Sequence, residues 1–255
     1  MRRLILEEPY SKAALLSRRL AIFALFVAVL AIAGVKSSSD LIAILGSAAA
    51  IAVLAVLAAL LAFAIIWFTG RKGGRQALFG LLLAMLLLAY PAYVAQEMIT
   101  LPRLYDISTD IADPPNFSLS RAALAARNGA TPPSLPLAAR KPQLKAYPQV
   151  EPILLDLDAN ESFDAVLNAI AESGWRIVEK RAPGGRMGLG HVDAIATSFL
   201  LRFPSDVTVR IRPLAGQTRI DVRSAARFGP FDFGTPARNI AKFDAALDDI
   251  VNKKQ

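Results

Sequence analysis

The residues best equipped for chemistry crowd into the last third of the chain. Arg210, Arg212, Arg219, Arg223 and Arg227 alternate with Asp221 and Asp232, while Asp193 and the single histidine, His191, stand just upstream. Arginine beside aspartate on neighbouring strands makes cross-strand ion pairs. Arginine facing arginine makes a donor set for phosphate or carboxylate. Taking Ala215-Gly216 as a two-residue hairpin turn fixes which of these meet. Val209 then faces Val222, Ile211 faces Ile220, Arg210 faces Asp221 and Arg212 faces Arg219. Like charges directly across a ladder are destabilising, so either the two heads splay into water or an anion sits between them. The plain reading of this row is the solvated polar face of a half-buried sheet. The functional reading is a surface for a lipid phosphate, an acidic glycan or a partner carboxylate, with Arg212, Arg219 and Arg223 as donors. Arg227 and Asp232 flank a turn, where a backbone clamp competes with a binding role.

Other chemistry finds little support. The chain has no cysteine and one histidine, which removes disulfides, thiolate sites and most transition-metal sites. No metal and no cofactor is therefore expected. Gly184-Gly185-Arg186-Met187-Gly188-Leu189-Gly190 is glycine-rich, yet no Lys-Ser/Thr follows it and no helix opens after it, so it reads as a hairpin connection. Ser198 and Ser224 lie in no nucleophile elbow beside His191 and Asp193. Asp156 and Asp158 sit where a helix cap is expected. No catalytic residue is assigned.

The elements that must position these residues follow from periodicity. Phe163, Val166, Leu167 and Ile170 mark an amphipathic helix, opened by Asp158 or Asn160 and closed by Gly174. Strands are expected over Trp175–Arg181, Leu189–Arg202, Val207–Arg212 and Thr218–Ser224, with a break at Phe203-Pro204-Ser205. Thr235-Pro236 caps a last helix carrying Ile240, Phe243, Leu247 and Ile250. The order helix, four strands, helix predicts an α+β domain over 153–255, an antiparallel sheet covered by two helices. Before it, 101–152 is rich in proline and small polar residues and reads as a linker or extended segment, with a short helix at Ser120–Arg127.

The first hundred residues have a different composition. Leu20–Val35, Leu41–Phe68 and Ala77–Ala95 hold no charged residue, and each supplies most of the roughly 20 apolar residues a spanning helix needs. Three spans are expected, near 15–35, 41–68 and 76–98, together forming an anchor over 1–100. Arg2, Arg3, Lys12, Arg18 and Arg19 precede the first, only Lys36 balanced by Asp40 lies in the first loop, and Arg71, Lys72 and Arg75 fill the second. Basic short loops stay on the cytoplasmic side, which puts the N-terminus inside and the C-terminal domain outside. For a bacterium that is an inner-membrane protein with a periplasmic domain. Ala31-Ile32-Ala33-Gly34 resembles a signal-peptidase site, but cleavage there would leave the domain on the same side. No ionisable residue lies mid-span, so a transporter is not indicated.

Of the net charge of +8, residues 1–100 carry nine Lys/Arg against four Asp/Glu, and residues 101–255 carry twenty against seventeen. The excess is mostly topology signal, and nucleic acid is not an expected partner.

Several segments together resemble a bacterial family, domain-of-unknown-function family 1499. They are Arg202-Phe203-Pro204-Ser205-Asp206-Val207, Arg210-Ile211-Arg212-Pro213 and Asp221-Val222-Arg223-Ser224, with Arg227, Gly229, Asp232, Gly234 and Arg238. Ile107-Ser108-Thr109-Asp110, Asp113-Pro114-Pro115-Asn116-Phe117, Ala146-Tyr147-Pro148 and Gly174-Trp175 are similar to its membrane-attached branch. Ala226, Thr235-Pro236 and Asp193 depart from the pattern. The resemblance implies domain limits near Asp106–Ile250 and an envelope role, and lends no catalytic residue. The expectation is an integral membrane protein whose outer domain is a non-enzymatic binding or scaffolding module. Its candidate contact residues are Asp193, Arg210, Arg212, Arg219, Asp221, Arg223, Arg227 and Asp232. Membrane lipids surround the anchor, and the anionic partner is a lipid head group, a glycan or an envelope protein. The alternative is an envelope hydrolase or lipid-modifying enzyme using Asp193, Asp221 or Asp232. A cleft with a buried carboxylate of raised pKa favours the enzyme, and a flat exposed charged surface favours the scaffold.

Overall fold

Continuous apolar runs of about twenty residues satisfy their backbone polar groups in lipid within the segment, as helices, even where one of them carries Pro91. The computed structural model describes residues 9–35, 37–101, 104–133, 135–184, 188–198, 202–227 and 234–253. It holds α1 (Lys12–Gly34), α2 (Ser38–Thr69) and α3 (Gly74–Thr100), all long and apolar enough to cross a membrane. Small residues bring them together. Ala14, Ser17, Ala21, Ala24 and Ala31 of α1 are buried, as are Ala48, Ala52, Ala55, Ala59 and Ala62 of α2. Both rows repeat at 3.5-residue spacing, the spacing of a helix–helix seam, and methyl-sized side chains let the backbones approach. The Ser17 hydroxyl donates to the Ala55 carbonyl at 2.9 Å across that seam. Gly80 of α3 meets α1 so closely that a Cβ there would lie 2.8 Å from the Arg18 nitrogen.

Residues from Glu97 onward form a second compact unit. Its elements are β1 (Asp106–Ser108), α4 (Arg121–Ala126), α5 (Leu137–Ala146), β2 (Ile153–Leu155), α6 (Ala159–Glu172), β3 (Arg176–Arg181), β4 (Gly190–Thr197), β5 (Pro204–Pro213), β6 (Thr218–Ala226) and α7 (Thr235–Asn252). The strands pair antiparallel in the order β1-β6-β5-β4-β3, and β2 pairs with β6 on the same edge as β1. The fold is α+β. Val209 faces Val222, Ile211 faces Ile220, Arg210 faces Asp221 and Arg212 faces Arg219, the register counted from the turn. Leu214 N–H donates to the Gln217 carbonyl at 2.8 Å, and Gly216 takes φ +79° between them.

The core lies between this sheet and two helices. Val192, Val207, Val209, Ile211, Ile220 and Val222 project from the sheet onto Phe163, Val166 and Ile170 of α6 and Ile240, Phe243 and Leu247 of α7. Trp175 stacks on Phe243 with ring centroids 5.8 Å apart. Asp158 opens α6, its carboxylate accepting from the N–H groups of Asn160 and Glu161 at 2.8 and 2.9 Å, and Gly174 follows its end at φ +72°.

Several elements differ from expectation. Among the described residues the sheet has six strands; β1 comes from the expected linker 101–152, and β2 from the start of the domain, where no strand was expected. The described residues of 101–152 are packed into the domain: β1 lies in the sheet, and α4 and α5 cover it. Proline removes backbone donors and so produces irregular chain, but irregular chain can still bury its side chains. Pro204 begins β5 rather than breaking it, since a first strand position needs no ladder donor. Gly234, at φ +68°, precedes α7, so Thr235 is its first residue and not its cap. The strand expected over Leu189–Arg202 ends at Thr197, and residues 199–201 lie outside the described ones.

Candidate functional site

Period-two alternation sends every second residue of the sheet away from the helices. On that face β6 places Arg219, Asp221 and Arg223, β5 places Asp206, Thr208, Arg210 and Arg212, and β4 places His191 and Asp193. β1 adds Asp106. This face is not open to water. The stretch from Asp110 to Arg127 and helix α5 lie over it, and Asp106, Asp193, Asp206, Thr208, Asp221 and Arg223 are each at most 2% exposed.

Buried charge is tolerable only when paired and hydrogen-bonded, and here the pairing is dense. Arg223 grips Asp106 through Nε and Nη2, both at 2.8 Å, while Arg140 of α5 donates to the same carboxylate at 2.7 Å. Arg127 reaches Asp193 through Nη2 and lies 3.4 Å from Asp206, which Arg227 also holds through Nε and Nη2. The Arg127 and Arg223 guanidinium groups both lie over the Phe117 ring, 5.0 and 4.8 Å from its centroid, in cation–π contact. The Gln143 side-chain amide acts as an extra strand residue for β1: it accepts from Ser108 N–H at 3.1 Å and donates to Ser108 C=O at 2.6 Å.

The opposed Arg212 and Arg219 find their anions within the chain. Asp113 Oδ2 accepts from Arg210 at 2.8 Å and from Arg212 at 3.3 Å. Asp110 accepts from Arg219 at 2.7 Å and from Arg210 at 3.3 Å, and Asp221 takes both Arg210 and Arg219. The Arg210 hydrogen bond holds the Asp113 carboxyl below its ordinary value, with Arg212 adding to the effect.

One part of the face remains accessible. A cleft of about 300 Å³ is lined by Asn116, Ser118, Glu179, Arg181, Leu189, Gly190, His191 and Arg210. Glu179 accepts from the Ser118 hydroxyl at 2.6 Å and from the Ser120 hydroxyl, and these bonds lower its pKa. His191 Nε2 stands 2.9 Å from Asp193 Oδ1, out of line for a good hydrogen bond, and neither atom has another partner among the described residues. Burial pushes the Asp193 carboxyl up, but His191, Arg127 and Thr208 outweigh it and hold it below its ordinary value. Among the described residues, no group of three His, Asp or Glu side chains is arranged to hold a metal.

The candidate residues from the sequence therefore divide. Arg210, Arg212, Arg219 and Asp221 form one joined network, Arg223 belongs to the Asp106 clasp, and Arg227 and Asp193 meet through Asp206 and Arg127. Asp232 lies outside the described residues. Sequence reasoning assigned no site role to Asp106, Asp110, Asp113, Phe117, Arg127, Arg140, Glu179 or Asp206. One signal for them was present: twenty basic against seventeen acidic residues after position 100 is the balance that internal pairing produces.

Three apolar helices followed by a sheet with helices on one face and an ion-pair lattice on the other define an integral membrane protein carrying an α+β domain. The chain belongs to the family described as protein of unknown function (DUF1499), which matches residues 106–247. That match begins at β1, with the clasp residue Asp106, and so takes in the proline-rich segment as part of the domain. A search of curated proteins found no match.

Proposed function

We propose that this is a bacterial inner-membrane protein whose C-terminal domain stands on the periplasmic side. There it works as a non-enzymatic binding module for an anionic envelope partner, a lipid head group, an acidic glycan or an envelope protein. The basic first and third flanks of the anchor support that orientation. The contact point is narrower than an open charged face. Arg212, Arg219 and Arg223 are already neutralised by the chain's own aspartates, whereas the cleft sets Arg181, which has no carboxylate partner among the described residues, beside His191 and the edge of Arg210. Arg181, without a carboxylate partner among the described residues at the rim of this cleft, is the observation that carries the reading. Glu179 uses Oε2 for both serine hydroxyls, which leaves Oε1 to accept from a ligand hydroxyl or amine. An acidic sugar or glycerophosphate head group offers both an anion and hydroxyls.

The enzymatic alternative has less support. Asp193 and Asp221 are fully buried and each is held by arginine. A general acid needs a raised pKa, and burial at Asp193 is outweighed by its partners. The test is binding of glycerophosphate and acidic-glycan probes to the full chain in nanodiscs. Arg181→Gln and His191→Gln are expected to weaken binding about tenfold each, a charge-assisted hydrogen bond apiece. Unchanged affinity in both variants overturns the site. A C-terminal fusion to alkaline phosphatase is expected to be active, and a fluorescent fusion that lights only in the cytosol overturns the orientation.

A further inference from the structure

The anchor holds a second cationic pocket that owes nothing to the sheet. The Ser11 N–H donates to the Lys72 carbonyl at 2.8 Å and Tyr10 bridges to Lys72, so the start of α1, the end of α2 and the start of α3 meet at one end of the helical unit. There Tyr10, Arg18, Lys72, Arg75, Gln76 and Phe79 line an open cleft of about 510 Å³. Unlike the arginines of the sheet, Arg18, Lys72 and Arg75 have no carboxylate partner among the described residues. The Arg18 guanidinium sits 5.9 Å over the Phe79 ring, which fixes it at the pocket wall. The first α3 bond runs from Ala77 N–H to Gly73 C=O, so the N–H groups of Gly74, Arg75 and Gln76 precede the ladder and point outward from a positive helix end.

The depth of the pocket identifies its occupant. Trp67 and Phe68, 85% and 83% exposed, lie at the same end of α2, where aromatic side chains mark the head-group layer. Apolar helix surface continues below it through Phe79 and Leu82. A ligand that seats here meets three cations and free N–H donors at its head and hydrocarbon-compatible helix beneath. We propose that this pocket binds the phosphate of an anionic phospholipid, with Arg18, Lys72 and Arg75 as the cationic contacts.

Native mass spectrometry of the detergent-solubilised full chain, titrated with phosphatidylglycerol or phosphatidylcholine of matched acyl chains, tests this. Phosphatidylglycerol is expected to be retained about tenfold better, and the Arg18→Gln/Arg75→Gln double variant is expected to lose that preference. Arg71→Gln removes a neighbouring charge outside the pocket and is expected to keep it within about twofold. Arg18→Lys/Arg75→Lys, which keeps the charges, is expected to retain it as well. Lys72→Gln leaves the helix residues intact and is expected to lower the preference about threefold, which keeps the test open should the double variant fail to insert. Equal retention of the two lipids overturns the site, and so does a loss in Arg71→Gln as large as in the double variant. Complete displacement of the lipid by millimolar inorganic phosphate assigns the pocket to a soluble anion and likewise overturns it.

Discussion

Replacing Asp106 by asparagine removes one negative charge from beneath two buried guanidinium groups. Asp106 is 1% exposed, Arg140 is 1% and Arg223 is 2%. Neither arginine has an equal second partner. Among the described residues Arg223 retains the Phe117 ring and the carbonyls of Pro115 at 3.2 Å and Pro133 at 3.1 Å, and Arg140 retains Leu135 C=O at 3.3 Å while its Nη1 has no partner. Removing one member of a buried ion pair costs about 3–5 kcal/mol, because the remaining charge is left uncompensated. For a domain of this size that corresponds to a Tm lower by about 6–20 °C. The Trp67→Phe background leaves Trp175, stacked on Phe243 in the core, as the single tryptophan. Its fluorescence in the full-length protein then follows unfolding of the domain alone. Asp113→Asn is the comparison, since that side chain is 68% exposed and its pairs with Arg210 and Arg212 face solvent; the expected loss is under about 1 kcal/mol. Asp106→Leu with Arg140→Met and Arg223→Met is expected to recover most of the stability, since well-packed apolar groups often match a buried ion cluster. The reasoning fails if Asp106→Asn is no more harmful than Asp113→Asn. It also fails if the apolar triple variant is worse than the single one.

Two further outcomes follow from the charge arrangement. Asp113, Glu179 and Asp193 all have carboxyls held below their ordinary values in the fold. Their contribution is present above the unfolded values near pH 4 and is lost as pH falls through the lower folded values, so acid unfolding is expected to begin below about pH 4; a denaturant midpoint constant from pH 6 to 3 contradicts this. Burial, and then the Asp248 charge, raise the Asp244 carboxyl on α7, so its ionised form is a penalty at neutral pH that disappears in acid. Asp244→Asn is expected to stabilise the domain by roughly 0.2–0.5 kcal/mol at pH 7 and by nothing at pH 3, which chemical denaturation at the two pH values reads directly.

How much of this was written locally can be argued residue by residue. Phe163, Val166 and Ile170 on one helix, and Ile240, Phe243 and Leu247 on the other, are buried together as their spacing requires. The pairing of Val209 with Val222 and Ile211 with Ile220 followed from one glycine turn, because a sheet face repeats every two residues and a slip by one would expose the whole core side. The spans of the anchor followed from hydropathy alone, because a continuous apolar run of about twenty residues pairs its own backbone groups as a helix. Each of these signals is read within a window of about twenty residues.

The polar face was decided elsewhere. Strand alternation correctly set Arg212 opposite Arg219, but the aspartates that neutralise the pair come from far upstream, Asp110 reaching Arg219 across 109 positions. No periodicity marks such a partner. Segment 106–145 has the prolines of a tether, and its burial rests on individual side chains, Phe117 against two arginines and Gln143 along β1. Composition describes how a segment folds by itself, whereas pairing depends on what the rest of the chain brings against it. The sequence alone thus determined the three apolar spans, the two amphipathic helices over the sheet and the register of the β5–β6 hairpin, since those obey rules of neighbours. Only the tertiary structure turned an apparently open row of arginines into a paired and partly buried lattice, because opposite charges choose partners by distance in space.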